Sequence, residues 1–571
     1  MLALRLTLAA LIASATGAAV AKSTSAPVDN FALLDERGKF HELYYLSDMK
    51  AVVLMTHDNE CAAVPDAVKA LEAAKAKYAS QGVQFMMLNV NDTRQSVAAA
   101  AGANASIPIL IDESHLVAEA LKANRAGEVF VIDPKGWKLA YRGGADKAKG
   151  GSAVLGNALD AVIAGKPVPK AVSAKGCKLK VEKPREPSAK VAYAEHIAPL
   201  LIDNCVTCHR AGGIGPFAMN SYNIVQGFAP MIREVIRTKR MPPWHADPHV
   251  GSFEGDRSLS PQEAQTIVHW IEGGAPRGKG PDPLAELHKT WQEWEFGKPD
   301  LIVEVPAFDV PATGTIDYQR HTIKNPTGRD LWLRASDILP GDRSVLHHVL
   351  IGMDDVRLPE RERRLQGAIG SIGLYVPGGG PFKYPAETGI FLPKDASFTF
   401  QMHYTSNGKP VRDATRAGFY FMEAPPKYEL KTALLIKTSL KIPANTKEYT
   451  DSQTIRFPND VLAYSFFPHA HFRGRASNFV AKYPDGREET LVSVPKYDFN
   501  WQATYSLTTP KLIPAGTRIV HTTTYDNSKQ NPANPDPNRV VPWGEQSWDE
   551  MLYGTVVYRE MTPTHLTQTT R

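Results

Sequence analysis

Helix-forming patterns end near residue 285 of this 571-residue chain. From there to the C-terminus, short apolar-alternating runs recur between Pro, Gly and Asn turns, as in Asp300-Leu-Ile-Val-Glu-Val305, Ser397-Phe-Thr-Phe-Gln-Met402 and Val461-Leu-Ala-Tyr-Ser-Phe466. That change of period marks a border between helix-bearing domains and all-β domains. The chain is also too long for one core, so three or four domains are expected. The 65 basic and 60 acidic residues leave a net charge of +5, too weak to imply a nucleic-acid partner.

The first residues read Met1-Leu-Ala-Leu-Arg5, then an apolar run, then Ala19-Val20-Ala21. A basic start, a short apolar stretch and small residues predict an export signal over residues 1–21 and a periplasmic or secreted protein. No later run is long enough for a stable membrane span. The four cysteines, Cys61, Cys177, Cys205 and Cys208, are too few for a disulfide framework, so each is a candidate for chemistry.

Residues 25–165 alternate strand and helix signals. Ala51–Met55, Val83–Val90, Ile107–Ile111 and Val129–Asp133 read as strands, and Val64–Tyr78 as a helix, which predicts an α/β domain. The opening Asp29-Asn-Phe-Ala-Leu-Leu-Asp35, a cysteine after the first core strand and the closing Phe130-Val-Ile-Asp133 resemble the redoxin branch of the thioredoxin fold. The active-site pattern departs from that family. Cys61-Ala-Ala-Val64 replaces Cys-x-x-Cys, and Ala126-Gly127-Glu128 stands where relatives carry a proline facing the thiol. Three readings stay open: a redox-silent docking domain, a one-cysteine site, or redox thiols Cys61 and Cys177 joined as a disulfide. A Lys- and Pro-rich stretch over 166–190 reads as a linker.

A small all-α domain is expected over 191–285. Its Cys205-Val-Thr-Cys208-His209 has the spacing at which two thiols bond haem vinyl groups and the adjacent imidazole ligates the iron. A zinc half-site or a dithiol pair would want further cysteines or a βαβ context. The sequence therefore predicts one covalent haem c in a cytochrome c-like domain. Met241, between Arg240 and Pro242-Pro243, is the expected sixth ligand, with His245, His249 and Met219 as alternatives. Ser260-Pro261-Gln-Glu263 caps a helix running to Gly273.

The β region divides at Ala424-Pro-Pro-Lys427 into expected sandwich (jelly-roll-like) domains at 290–424 and 427–571. It carries four islands of soft or borderline metal ligands: His347-His348, His403, His469-Ala-His471 and Met551. Histidines two apart on a strand share a face and could meet one metal, or could be surface or core groups. Adjacent histidines face opposite ways on a regular strand, so a shared metal at His347-His348 requires a bulge. His321 and His521 read as structural or surface groups.

In this order the four islands resemble the type II copper, ascorbate-dependent monooxygenases, which include the peptidylglycine hydroxylating enzyme and dopamine β-monooxygenase. The resemblance implies two copper ions. One, for electron transfer, falls on His347, His348 and His403; the catalytic one, for oxygen activation, falls on His469, His471 and Met551. Imidazoles with one thioether suit copper better than zinc. The implied reaction places one atom of O2 in a C–H bond of a small-molecule substrate. The fusion to a haem segment suggests that electrons come from a periplasmic donor through the haem domain, or directly from ascorbate. Phe467 and Thr555 stand where the peptidylglycine enzyme has its substrate-clamping arginine and tyrosine. A glycine-extended peptide is therefore not expected, and Phe466 and Phe467 suggest an apolar or aromatic substrate. The contrasting expectations are a copper-handling or electron-transfer protein without oxygenase activity, and a thiol peroxidase with an appended cytochrome.

Overall fold

The computed structural model describes residues 27–102, 106–145, 154–168, 170–181, 191–357, 359–360 and 372–563. The expected export signal over 1–21 lies outside them. Among the described residues, no helix is long and apolar enough to cross a membrane.

The N-terminal domain is a five-stranded sheet in the order Ile109–Ile111, Val83–Asn89, Ala51–His57, Glu128–Asp133, Lys138–Gly144. The first three strands are parallel and the last two pair antiparallel. Along the central strand, Ala51, Val53 and Met55 enter one core while Val52 and Leu54 enter another on the opposite face. A strand buried on both faces needs a continuous apolar run, which is why this one does not alternate. The helix Val64–Tyr78 buries Val64, Ala67, Leu71 and Tyr78 against the sheet.

Within the expected linker at 166–190, residues 170–181 fold back onto this domain. Gly144 N–H donates to Val172 O at 2.7 Å, Ala126 N–H to Cys177 O at 2.9 Å and Leu179 N–H to Asn124 O at 3.0 Å. Leu179 is buried in the domain's core. A Cβ on Gly176 would stand 1.9 Å from Ala126 O, so only glycine permits this approach. Cys177 closes the strap with a disulfide to Cys61, across 116 residues.

The next segment is helical: Tyr193–Ile197, Ala198–Asn204, Tyr222–Gly227, Ala229–Arg237 and Pro261–Glu272 surround their own core of Tyr193, Ile197, Leu201, Ile267 and Trp270. Ser260 and Glu263 form the expected capping box. Arg94 of the N-terminal domain grips Asp247 with two contacts of 2.6 and 2.7 Å, and Tyr45 donates to Asp526 beneath the Arg475 guanidinium. The α/β domain is thereby docked on both later regions.

From Leu301 onward the chain is all-β. One unit pairs the sheet Gln319–Lys324, Ser397–Tyr404, Leu346–Asp354, Gly373–Tyr375 with a six-stranded sheet built on Leu331–Leu339. Val349, Ile351, Phe398 and Phe400 from the first meet Leu333, Leu392, Ala417 and Phe419 from the second in one core. The second unit pairs the sheet Lys431–Ile436, Tyr553–Glu560, Val461–His469, Tyr505–Ile513 with the sheet Tyr449–Arg456, Arg518–Tyr525, Gly474–Lys482, Glu488–Val494. Alternate residues such as Ala463, Phe466, Phe479, Ala481 and Ile519 fill its core. Phe466 belongs there, fully buried with its ring tilted against Phe479 at 5.2 Å, and is unavailable to a substrate.

Candidate metal centre

His347 and His348 occupy the start of strand Leu346–Asp354, and His403 lies on its neighbour Ser397–Tyr404. His348 pairs directly with His403, and the register slips between Leu346 and His348. His347 is the extra residue of that bulge. The irregularity turns two adjacent side chains toward one point, which a regular strand forbids. The ring centroids of His403 lie 5.0 Å from His347 and 4.9 Å from His348. One ligand atom from each of the three lies within 4.8 Å of the others.

All three rings are buried, and His347 Nε2 and His403 Nδ1 have no hydrogen-bond partner. Orphaned polar atoms in a core are costly unless something else completes them. Burial, reinforced by His469, pushes the His347 pKa down to about 4. Burial and neighbouring imidazoles hold His348 and His403 well below the usual range. Neutral imidazole is the form that ligates a metal.

His469 ends strand Val461–His469, and His471 follows two residues on, with ring centroids 5.1 Å apart. His469 Nδ1 lies 2.6 Å from Gln502 Oε1, an acceptor, so the proton sits on Nδ1 and Nε2 is free. His471 Nδ1 donates to Asp549 O at 3.3 Å, and its buried Nε2 is unpartnered. Both imidazoles therefore offer Nε2, and each second nitrogen is held by the protein, as is usual for metal-ligating histidines.

Glu550 secures this arrangement. Its fully buried carboxylate accepts from the backbone N–H groups of His471 at 2.8 Å, Arg473 at 2.6 Å and Met551 at 3.2 Å. The histidine loop and the methionine, some eighty positions apart, are tied to one side chain. Arg473, also fully buried, donates to Asn527 Oδ1 at 2.8 Å and Trp548 O at 2.9 Å. Tyr497 donates to Ala470 O at 2.7 Å and accepts from Ala470 N–H at 3.0 Å, bracing the residue between the two histidines.

Met551 and both histidines of this set line a cavity of about 140 Å³. His348 of the first set lines it too, with Tyr318, Leu374, Leu434, Ile436, Phe467 and Trp543. The structure thus brings all six expected metal ligands to one region between the β units, His403 through its pairing with His348. His521 is structural: it stacks on Phe479 at 4.4 Å, and its Nε2 lies 2.8 Å from Ser477 Oγ.

Cys205, Cys208 and His209 follow the helix Ala198–Asn204, and both thiols are free. Burial pushes the Cys205 thiol up to about 12. His209 Nδ1 donates to Phe217 O at 3.1 Å, again leaving Nε2 for a ligand. These residues fit a covalent haem. Met241 lines a cavity of about 440 Å³ with Phe31, Trp244 and His245, whereas Cys208 lines another of about 360 Å³ with Arg210, Trp291, Arg343 and Tyr375. The stretch after Met241 packs on the C-terminal β unit, where Trp244 meets Tyr505 at 5.3 Å. Met219 is ordinary core, and His249 pairs with Glu113 at 2.8 Å.

Sequence reasoning missed Tyr497 and Gln502. They sit in the connection between strands Glu488–Val494 and Tyr505–Ile513, which carries no periodic signal. Glu550 was visible only as a neighbour of Met551.

Residues 24–141 match the AhpC/TSA family. No curated protein matches the chain. Among solved structures, a hypothetical protein from Sinorhizobium meliloti 1021 is 30% identical, covering 27% of this chain and 92% of its own, with a TM-score of 0.26. A putative thiol:disulfide interchange protein DsbE from Chlorobium tepidum is 17% identical, covering 24% and 94%, with a TM-score of 0.21. Peroxidoxin BcpB from Mycobacterium tuberculosis has the same identity, coverage and score. On the family match and its five-stranded α/β sheet, the N-terminal domain of this chain is a thioredoxin-like redoxin of the AhpC/TSA family.

Proposed function

We propose that this protein is an exported, copper-dependent monooxygenase that hydroxylates a C–H bond of a small apolar substrate, with a covalent haem c domain as its built-in electron donor. The observation that carries the reading is the convergence of His347, His348 and His403, with ligand atoms within 4.8 Å of one another, beside a cavity lined by His469, His471 and Met551. The two all-β units would be the sandwich domains of the copper monooxygenase family. When bound, copper held by His347, His348 and His403 and by His469, His471 and Met551 would supply one-electron redox chemistry and O2 activation.

The chain's own residues do the rest. The bulge at His347 aims two neighbouring rings together. Gln502 and the Asp549 carbonyl hold protons on Nδ1 of His469 and His471, keeping Nε2 available. Glu550 holds Met551 against the histidine loop. Leu374, Leu434, Ile436, Phe467 and Trp543 give the cavity a largely apolar wall, broken by Gln401, Gln502 and Glu545, that would favour an apolar substrate. Phe467 takes the place of a carboxylate clamp and argues against a glycine-extended peptide. Leu374 lines both this cavity and the one beside Cys208, and Cys205, Cys208 and His209 would hold the haem. Ascorbate or a periplasmic protein would serve as the outer reductant.

The test is oxygen uptake over a panel of apolar and aromatic substrates, with copper and haem quantified in the same samples. Substrate-dependent uptake with hydroxylated product supports the reading. Full copper and haem content without any substrate-dependent uptake would favour a copper-handling or electron-transfer protein instead.

A further inference from the structure

We propose that the haem site is shared between two domains: Arg343 and Tyr375 of the first β unit, with Arg210 and Arg257 of the helical segment, hold the propionate carboxylates of the haem. This rests on the haem reading of Cys205, Cys208 and His209. The cavity of about 360 Å³ beside Cys208 lies on the seam between the two domains. Cys208, Arg210 and Arg257 reach it from the helical segment, and Arg343 and Tyr375 from the β unit. Arg257 crosses the seam. Its Nη1 donates to Gly378 O at 3.1 Å and lies 3.9 Å from Cys208 Sγ. The cysteine expected to carry the haem is therefore tied through one guanidinium to a loop of the β unit.

The donors facing this cavity lack acceptors. Tyr375 is 5% exposed, and its buried hydroxyl has no hydrogen-bond partner. The Arg343 guanidinium stands over the Tyr375 ring, 5.7 Å from its centroid. Arg210 lies over the Trp291 ring at 4.3 Å, and its buried Nε has no partner either. Lys289 covers the same indole at 4.4 Å, adding a further cation at the mouth. Buried donors are costly unless something completes them. The acidic side chains of the same wall do not supply the acceptors. Glu293 pairs with Arg416 at 2.5 Å, Asp337 accepts from Glu295 N–H at 3.2 Å, and Glu295 is exposed. A guanidinium presents paired N–H groups matched to a carboxylate, and a phenol O–H adds a single donor. The cavity thus calls for carboxylates beside Cys208, and a haem linked to that cysteine carries a pair of them. A cation set against those carboxylates offsets their charge and favours ferrous over ferric iron. The first β unit would then tune the redox balance of the haem as well as complete its site.

The test uses the full-length, haem-loaded protein with Arg343→Gln, Arg343→Lys and Tyr375→Phe. The readouts are covalent haem content, the propionate bending bands in resonance Raman spectra, and the haem midpoint potential by redox titration. Arg343→Gln and Tyr375→Phe should keep the haem and shift the propionate bands. Arg343→Gln should also lower the ferrous-to-ferric ratio at a fixed potential by about tenfold, equivalent to about 59 mV for one electron. Arg343→Lys, which keeps the charge, should restore most of that ratio. Tyr375→Phe removes only a hydroxyl, so it carries the Raman test even where Arg343→Gln does not fold. Unmoved propionate bands in Arg343→Gln and Tyr375→Phe, with haem attached, would overturn the shared site and leave the haem reading intact. A wild-type chain that takes up no covalent haem would overturn the reading beneath it.

Discussion

The two histidine sets border one cavity but are built differently. His347, His348 and His403 sit on adjacent hydrogen-bonded strands, and a single bulge makes them converge. His469, His471 and Met551 sit at a strand end and in loops, and their convergence depends on side chains: Gln502, Tyr497 and Glu550. A ladder fixes geometry through many backbone bonds. A clamp fixes it through a few groups, each of which can be adjusted by one substitution. The difference suits a division of labour in which the strand-built set passes electrons and the clamp-built set does the chemistry.

That contrast can be broken first at Met551. In Met551→Ala, substrate-dependent oxygen uptake should fall by more than about 100-fold, beyond the 10–100-fold typical of outer-shell changes. The first copper and the haem should be retained by metal and haem analysis. Equal loss at both sets would mean that they are not separately built. Glu550→Ala comes next. It strips three buried N–H groups of their acceptor, which should lower stability by more than about 2 kcal/mol in denaturant melts. Copper should be lost from the second set before the first. Gln502→Leu should weaken copper at the second set by about 10–100-fold, read by competition with a chelator, with the first set unchanged.

Two variants remote from both sets sharpen the comparison. Cys61→Ser opens the disulfide that straps residues 170–181 to the redoxin domain. It should cost about 2–4 kcal/mol in that domain's unfolding, with copper and haem content unchanged. A loss of copper would couple the redoxin to the metal region. His269→Gln removes the ion pair of 2.6 Å to Glu119 that joins the helical segment to the redoxin. The Glu119 carboxylate raises the His269 pKa above its ordinary 6.5. The pair's stabilisation is therefore full below pH 6.5 and lost as pH rises through the folded value. The melting difference between wild type and variant should be largest near pH 5.5 and shrink toward pH 8.5, at under about 1 kcal/mol for a pair in partial contact with water.

Much of this organisation was legible in the residues. The helix Val64–Tyr78 lies where the apolar spacing placed it, and the need for a bulge at His347-His348 follows from strand geometry alone. The strap was not legible, because Lys and Pro content reads as a linker whether or not backbone groups find partners. Its backbone hold on the redoxin comes from carbonyls of Val172 and Cys177, which have no side-chain signature, whereas the Cys61–Cys177 bond was one of the readings the cysteines left open. Gln502 and Tyr497 were hidden for a related reason. Their roles come from contacts to residues more than twenty positions away, in a connection without period. The packing of Trp244 on the C-terminal β unit was not legible either, because its partner Tyr505 lies far along the chain.

The most direct test of the central claim is X-ray absorption at the copper edge on the haem-loaded, Cu(I)-reconstituted protein and on Met551→Ala. The wild type should hold two coppers per chain, ligated by imidazole nitrogen with a sulfur shell equivalent to one thioether, and that shell should vanish in Met551→Ala. A wild-type spectrum without copper–sulfur scattering, or a sulfur shell that survives the substitution, would contradict the assignment of His469, His471 and Met551 to one catalytic copper.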